Sequence, residues 1–193
     1  MMYPDLLILR HGETEWNREG RMQGEADSPL TDTGRAQAAA QGRLLAGVDL
    51  AGWQMWTSPL GRCLETARIA LGDQARFARQ DRRLIEITLG DWTGRTRMQI
   101  AAQVPHLFDQ DHGMAWYDHA PGGEGLAGLH ARTGAFLAAL DAPAVIVTHG
   151  ITSRMLRCHY LGLEPDAFAE LPGGQGVIYH MSGGVQACLA EGA

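Results

Sequence analysis

The residues best placed to do chemistry stand at Arg10-His11-Gly12-Glu13, where a short apolar run, Leu6-Leu7-Ile8-Leu9, stops. A guanidinium beside an imidazole offers anion binding together with nucleophilicity. A buried strand ending there would deliver both to the carboxyl edge of an open α/β sheet, where such folds bind their ligands. Alone, an Arg-His pair after a strand is more often a surface turn, so partners elsewhere must decide. His149 repeats the arrangement: the β-branched run Val145-Ile146-Val147 ends in Thr148-His149-Gly150. If both strands run parallel, both imidazoles lie on one edge, and the helix N-termini there add backbone N–H groups for an anion.

Two further side chains bear on that edge. Ser58-Pro59 reads as the start of a helix, Ser58 as N-cap and Pro59 in the first turn, which puts Arg62 near the same edge. Spacing alone favours a solvated helix arginine at this position. Glu86 sits among Leu84, Ile85 and Ile87, in a stretch from Asp81 to Thr93 that reads as a strand and turn. Burial and a nearby phosphate dianion would favour its protonated form, as a general acid requires. Period-2 alternation equally allows it to face water.

The elements that must position these residues follow from pattern. Thr31 can cap a helix over 32–46 that Gly47 stops. Further helices are predicted over 96–103, ended by Pro105, and over 124–139 and 150–161; strands are predicted over 6–9, 54–57, 144–148, 176–181 and 185–189. This alternation implies one domain over residues 1–193. Its fold class is α/β, a three-layer α/β/α sandwich with a mostly parallel mixed sheet. Residues 96–123 need a separate reading: from His106 to Gly123 the periodicity is weak, broken by Pro121-Gly122-Gly123. They read as a lid whose Phe108, Met114, Trp116 and Tyr117 either set specificity or pack against the domain.

Composition narrows the partners. At 193 residues with a net charge of −6, the chain is poorly suited to nucleic acid or an acidic membrane surface. No apolar run approaches the ~20 residues of a membrane span, and Met1-Met2-Tyr3-Pro4-Asp5 lacks a basic leader start, so the expected compartment is the cytoplasm. Cys63, Cys158 and Cys188 are scattered and read as reduced thiols. His106, His112 and His119 read as solvated, and no metal site and no cofactor are indicated. All 16 basic residues are arginines, which excludes any mechanism that needs a lysine.

The ordered set of motifs resembles the histidine phosphatase superfamily, which includes the cofactor-dependent phosphoglycerate mutases. It runs through Leu9-Arg10-His11-Gly12-Glu13-Thr14 with Asn17, Gln23-Gly24, Leu30-Thr31 with Gly34 and Gln37-Ala38, and Ser58-Pro59-Leu60 with Arg62 and Thr66-Ala67. It continues in Leu84, Glu86, Gly90, Trp92 and Gly94, in Pro121, Gly123 and Glu124, and in Thr148-His149-Gly150. The resemblance implies that His11 attacks phosphorus and becomes a phosphohistidine, and that Arg10, Arg62 and His149 hold the phosphoryl oxygens. It implies that Asn17, Gln23 and Gly24 add substrate contacts, that Glu86 protonates the leaving oxygen, and that protein cations do the work of a metal.

Within that family a mutase must grip a doubly anionic ligand. Only 62 residues separate Glu86 from His149, and Met98 to His130 contains no arginine or lysine. This favours release of phosphate to water, and a small-molecule phosphomonoester as substrate. The short length and Gly90-Asp91-Trp92-Thr93-Gly94 resemble the small broad-specificity phosphatases and α-ribazole phosphatases. An aromatic, uncharged lid points to an apolar or nucleoside-like leaving group. The alternatives are a phosphoglycerate mutase-type phosphotransferase and a non-catalytic phospholigand-binding protein.

Overall fold

The computed structural model describes residues 3–108 and 114–192. Six strands form one sheet: β1 (Leu6–Arg10), β2 (Gln54–Thr57), β3 (Arg79–Gln80), β4 (Ala144–Thr148), β5 (Ile178–Ser182) and β6 (Val185–Leu189), in the order β3-β2-β4-β1-β5-β6. Strands β3, β2, β4 and β1 are parallel; β5 and β6 complete the sheet antiparallel. Register places Arg10 opposite Thr148, so the two strands that precede His11 and His149 end level with each other.

Strand β1 is apolar from Leu6 to Leu9 because both faces of the sheet are covered. Leu6 and Ile8, with Ala144 and Ile146 of β4, pack under α5 (Gly125–Ala138) and α6 (Gly150–Leu161) through Phe136, Leu137 and Leu156. Leu7 and Leu9, with Val145 and Val147, pack against α2 (Asp32–Leu45) and α3 (Gly61–Leu71) through Leu45, Cys63 and Ala67. The result is the expected three-layer α/β/α sandwich with a mixed sheet. Thr31 caps α2 as expected, its Oγ1 accepting from the Gly34 N–H at 3.0 Å. The remaining helices are α1 (Glu15–Arg18) and α4 (Arg97–Gln103), each opened by a reciprocal capping box, Thr14 with Asn17 and Thr96 with Gln99.

Two expectations are corrected. Helix α3 starts at Gly61 after the extended residue Leu60, with no side-chain cap, so Ser58 and Pro59 lie outside it. The freed Ser58 hydroxyl faces His149 instead. The stretch 81–93 is not a strand. Short 3-10 turns occupy Arg82–Leu84 and Gly90–Trp92, with irregular chain between them. Leu84, Ile85, Ile87 and Leu89 are all buried because this chain runs between the sheet core and a third apolar cluster at the carboxyl edge. That cluster contains Trp92, Ile100, Trp116, Leu129, Ile151 and Met155, and it seats residues 100–108 and 114–120 on α5 and α6. His106 and His119 are exposed, as expected; His112 lies outside the described residues.

Candidate active site

The floor of the site is set by backbone. As β1 ends, the His11 N–H donates to the Thr148 carbonyl at 2.9 Å, tying the two strand ends together. Gly12 then passes so close to α2 that a Cβ on it would lie 2.1 Å from the Gly34 carbonyl oxygen. A Cβ on Gly34 would lie 2.0 Å from the Glu13 carbonyl oxygen, so this crossing admits two glycines and nothing larger. The Gly12 N–H is taken by Thr66 Oγ1 of α3 at 3.1 Å.

His11 is buried and its Nδ1 lies 2.8 Å from the Gly12 carbonyl oxygen. A carbonyl only accepts, so Nδ1 carries the proton and Nε2 keeps its lone pair. Burial, with the Arg10 and Arg62 charges nearby, holds the imidazole well below the ordinary 6.5; the Gly12 bond opposes this without reversing it. His149 lies 5.2 Å away, ring centre to ring centre. Its Nδ1 accepts from Arg62 Nε at 3.2 Å, which leaves the proton on Nε2, donated to Ser58 Oγ at 2.8 Å. Burial and Arg62 hold this imidazole too well below its ordinary value. Both histidines are therefore neutral bases near neutral pH.

Arg62 is 1% exposed and is gripped on its outer side. Its Nη1 donates to the Ala26 carbonyl at 2.6 Å and to Asp27 Oδ1 at 3.1 Å, and its Nη2 to the Gly24 carbonyl at 2.8 Å. Arg10 is different. Its Nε is buried without a protein partner among the described residues, which leaves a cationic donor open to an anion. Gly150 makes room for it, since a Cβ there would sit 3.3 Å from the Arg10 Cζ.

Glu86 is located by the N-terminus of α6. Its carboxylate accepts from the Ile151 N–H, the Thr152 N–H and the Thr152 hydroxyl, each at 3.1 Å, and from the Ile87 N–H at 3.0 Å. Asn17 Oδ1 accepts from the Thr14 N–H and from Gln175 Nε2, so its amide NH2 is the end left over. Gln23 Nε2 donates to Thr14 Oγ1 at 2.8 Å. These side chains converge on a cleft of about 120 Å³ lined by Arg10, His11, Asn17, Gln23, Gly24, Arg62 and Glu86. Of the residues expected in the site, only His149 is not on its wall. It stands behind Arg62, its polar atoms occupied by Arg62 and Ser58.

The sequence reading left out Arg21, which lines the cleft with Nη1 on the Gly94 carbonyl, and Gln175, whose Nε2 reaches the His11 carbonyl at 3.1 Å. Arg21 lies between Asn17 and Gln23, which was a usable signal. Gln175 is 164 residues from His11, and nothing local announces it. Tyr117 of the lid also lines the cleft. A wider concavity of about 780 Å³ lies between the C-terminal turns of α2 and α3, but its one arginine, Arg43, is paired with Glu191. Among the described residues no group of three or more His, Cys, Asp or Glu could hold a metal ion.

A neutral histidine lining one cleft with two arginines and a carboxylate is an arrangement that suits attack on a phosphoryl group. Comparison with known proteins agrees. The family model of the histidine phosphatase superfamily (branch 1) matches residues 6–186. A glucosyl-3-phosphoglycerate phosphatase of Mycolicibacterium vanbaalenii is 36% identical over 87% of this chain and 79% of its own length. Phosphoserine phosphatase 1 of Hydrogenobacter thermophilus is 31% identical over 84% of this chain and 79% of its own. The solved structure of Bacillus stearothermophilus YhfR superposes with a TM-score of 0.81 at 35% identity, covering 98% of this chain and 96% of that one. The chain belongs to the histidine phosphatase superfamily.

Proposed function

We propose that the protein is a metal-independent phosphomonoesterase that hydrolyses small-molecule phosphate esters through a phosphohistidine on His11. The observation that carries this reading is the His11 tautomer: Nδ1 is tied to the Gly12 carbonyl, and among the described residues Nε2 has no hydrogen-bond partner, in a cleft that Arg10 also lines. The relatives named as phosphatases of small phosphate esters support it.

In the proposed first step the Nε2 lone pair forms a bond to phosphorus while the P–O ester bond breaks. The departing oxygen takes a proton from Glu86, which enters this step as the acid. In the second step water gives a proton back to Glu86, its oxygen bonds to phosphorus, and the P–N bond breaks to release inorganic phosphate. Arg10 and Arg62 take the charge on the equatorial oxygens, the role a metal plays elsewhere. The Asn17 amide, Gln23 and the Gly24 backbone complete the cradle. His149, behind Arg62 and off the cleft wall, positions the guanidinium through its Nδ1 and touches no phosphoryl oxygen. Residues 96–123 serve as lid to a single catalytic domain. Hydrolysis is preferred to mutase-type transfer because residues 98–130 supply no cation to hold a second phosphate.

His11→Ala tests this reading. Turnover of p-nitrophenyl phosphate should fall by at least about 10⁴-fold while inorganic phosphate still binds. Activity within tenfold of wild type would remove His11 as nucleophile. Phosphate binding without turnover in the wild type would leave a binding protein.

A further inference from the structure

We propose that Gln175 is a positioning residue of the phosphoryl cradle, and that Arg154, Arg157 and Tyr179 strap the 171–175 loop so that its amide turns the Asn17 NH2 into the cleft. The inference rests on the phosphomonoesterase reading above, in which that NH2 meets the phosphoryl group, and adds what aims it.

Residues 171–175 lie outside every helix and strand, and among the described residues they make no backbone–backbone hydrogen bond. Three successive carbonyls are taken by side chains instead. Arg154 Nε donates to Leu171 at 2.9 Å, Arg157 Nη2 to Pro172 at 2.7 Å, and the Tyr179 hydroxyl to Gly173 at 2.6 Å. Arg154 and Arg157 stand three residues apart on α6, so they share one face of the helix. The loop is drawn in so closely that a Cβ on Gly173 would lie 2.4 Å from Arg154 Nη2.

Arg157 is the firmest part of the strap. It is 1% exposed, and its Cζ lies 3.8 Å over the Tyr179 ring. Its Nη1 donates to Gln186 Oε1 at 3.0 Å and its Nε to the Ser153 carbonyl at 3.3 Å, so none of these partners is a carboxylate. An apolar side chain would fill the same place without the cost of desolvating a charge. The guanidinium is explained by the carbonyls it holds.

At the end of the strap, Gln175 Nε2 donates to the His11 carbonyl at 3.1 Å and to Asn17 Oδ1 at 3.3 Å. Gln175 is not on the cleft wall, so it acts through these neighbours. His11 is held without it, through its N–H on Thr148 and its Nδ1 on Gly12. Asn17 depends on it more. Among the described residues the other contact of its amide is the Thr14 N–H on Oδ1, a long bond of 3.2 Å. An amide turned by half a circle keeps its shape and exchanges donor for acceptor. With two donors on Oδ1, the reversed amide would face N–H groups with its own NH2 and turn an oxygen towards the phosphoryl group. Helix α6 thereby serves both halves of the chemistry: its first N–H groups hold Glu86, and its middle turns hold the strap.

The test reads affinity for inorganic phosphate by calorimetry, in a double-mutant cycle between Asn17→Ala and Gln175→Met, which keeps the length but removes the donor. Alone, Gln175→Met should weaken phosphate binding about 3- to 10-fold, the worth of a neutral hydrogen bond, and Asn17→Ala about 10- to 100-fold. With Asn17 already removed, Gln175→Met should change affinity less than about twofold. Tyr179→Phe deletes a single oxygen of the strap and should act in the same direction by about 2- to 5-fold, again only while Asn17 is present. Unchanged phosphate affinity in Gln175→Met overturns the proposal, as does an equal loss in both backgrounds, which a general loosening would give. No effect of Tyr179→Phe removes the strap. Failure of the phosphomonoesterase reading shows separately, as a wild type that binds phosphate and turns over no ester.

Discussion

The floor of the cleft is carried by strand ends and helix N-termini, and its polar atoms are largely spent on one another. Past α4 the lid is carried by short 3-10 turns and held by aromatic stacking. On the floor, His11 is bonded through its N–H to Thr148, through Nδ1 to Gly12 and through its carbonyl to Gln175. In the lid, Phe108, Trp116 and Tyr117 hold one another by ring contacts, and the Ala115–His119 turn has no side-chain cap. A hydrogen-bonded floor fixes where charge develops, which is what phosphoryl transfer requires. A stacked lid can change its side chains without disturbing that geometry. Rate should therefore reside in the floor, and discrimination in the lid.

The largest break after loss of the nucleophile is expected at Glu86. Glu86→Gln should slow hydrolysis of alkyl phosphates by about 10²- to 10⁴-fold, and p-nitrophenyl phosphate far less, because that leaving group needs little protonation. Equal losses on both esters would remove Glu86 as the acid. Next comes Gly12→Ala, whose new Cβ meets backbone that cannot swing aside. It should cost about 3 kcal/mol in denaturant unfolding, the upper end for overpacking. A loss below about 0.5 kcal/mol would show that the crossing with Gly34 is slack.

The two buried histidines add a pH dependence. Their folded pKa values lie well below 6.5, so as pH falls through 6.5 the unfolded chain takes up protons that the folded chain refuses. Stability is intact above that point. Below it stability should fall by up to about 1.4 kcal/mol per pH unit for each histidine, until the folded groups also titrate. A flat unfolding midpoint between pH 6.5 and 5 would contradict the neutral floor. The smallest effect is expected in the lid. Phe108→Ala should cost about 1 kcal/mol, the worth of its ring contacts. It should change KM among esters and leave inhibition by inorganic phosphate alone; a change in phosphate affinity would erase the distinction between the two regions.

The same contrast explains what the sequence discloses. His11 and His149 are legible because each follows its strand covalently, and parallel pairing of β1 with β4 brings them level. The Thr31 cap is local and leaves a local mark, whereas the crossing of Gly12 with Gly34 is tertiary and leaves none. Glu86 was legible as a carboxylate among apolar residues, but not its setting. Leu84, Ile85 and Ile87 imitate a strand because they are buried between two clusters, and the donors that hold the carboxylate come from Ile151 and Thr152. Arg62 shows the same limit: its position on α3 could be read, whereas its partners at 24–27 and 149 are tertiary. The lid leaves the faintest trace. Its 3-10 turns have no sustained period, and ring stacking writes no spacing rule into the chain.

Covalent transfer to His11 is the central claim, and trapping the intermediate tests it most directly. The wild-type protein is mixed with a radiolabelled phosphomonoester, quenched in alkali within the first turnovers, and mapped by peptide mass. Label should appear on His11, on the nitrogen opposite the Gly12 bond, at a stoichiometry approaching one per chain when Glu86→Gln slows discharge. Sustained hydrolysis with no label on His11, or with label on another residue, would contradict the account.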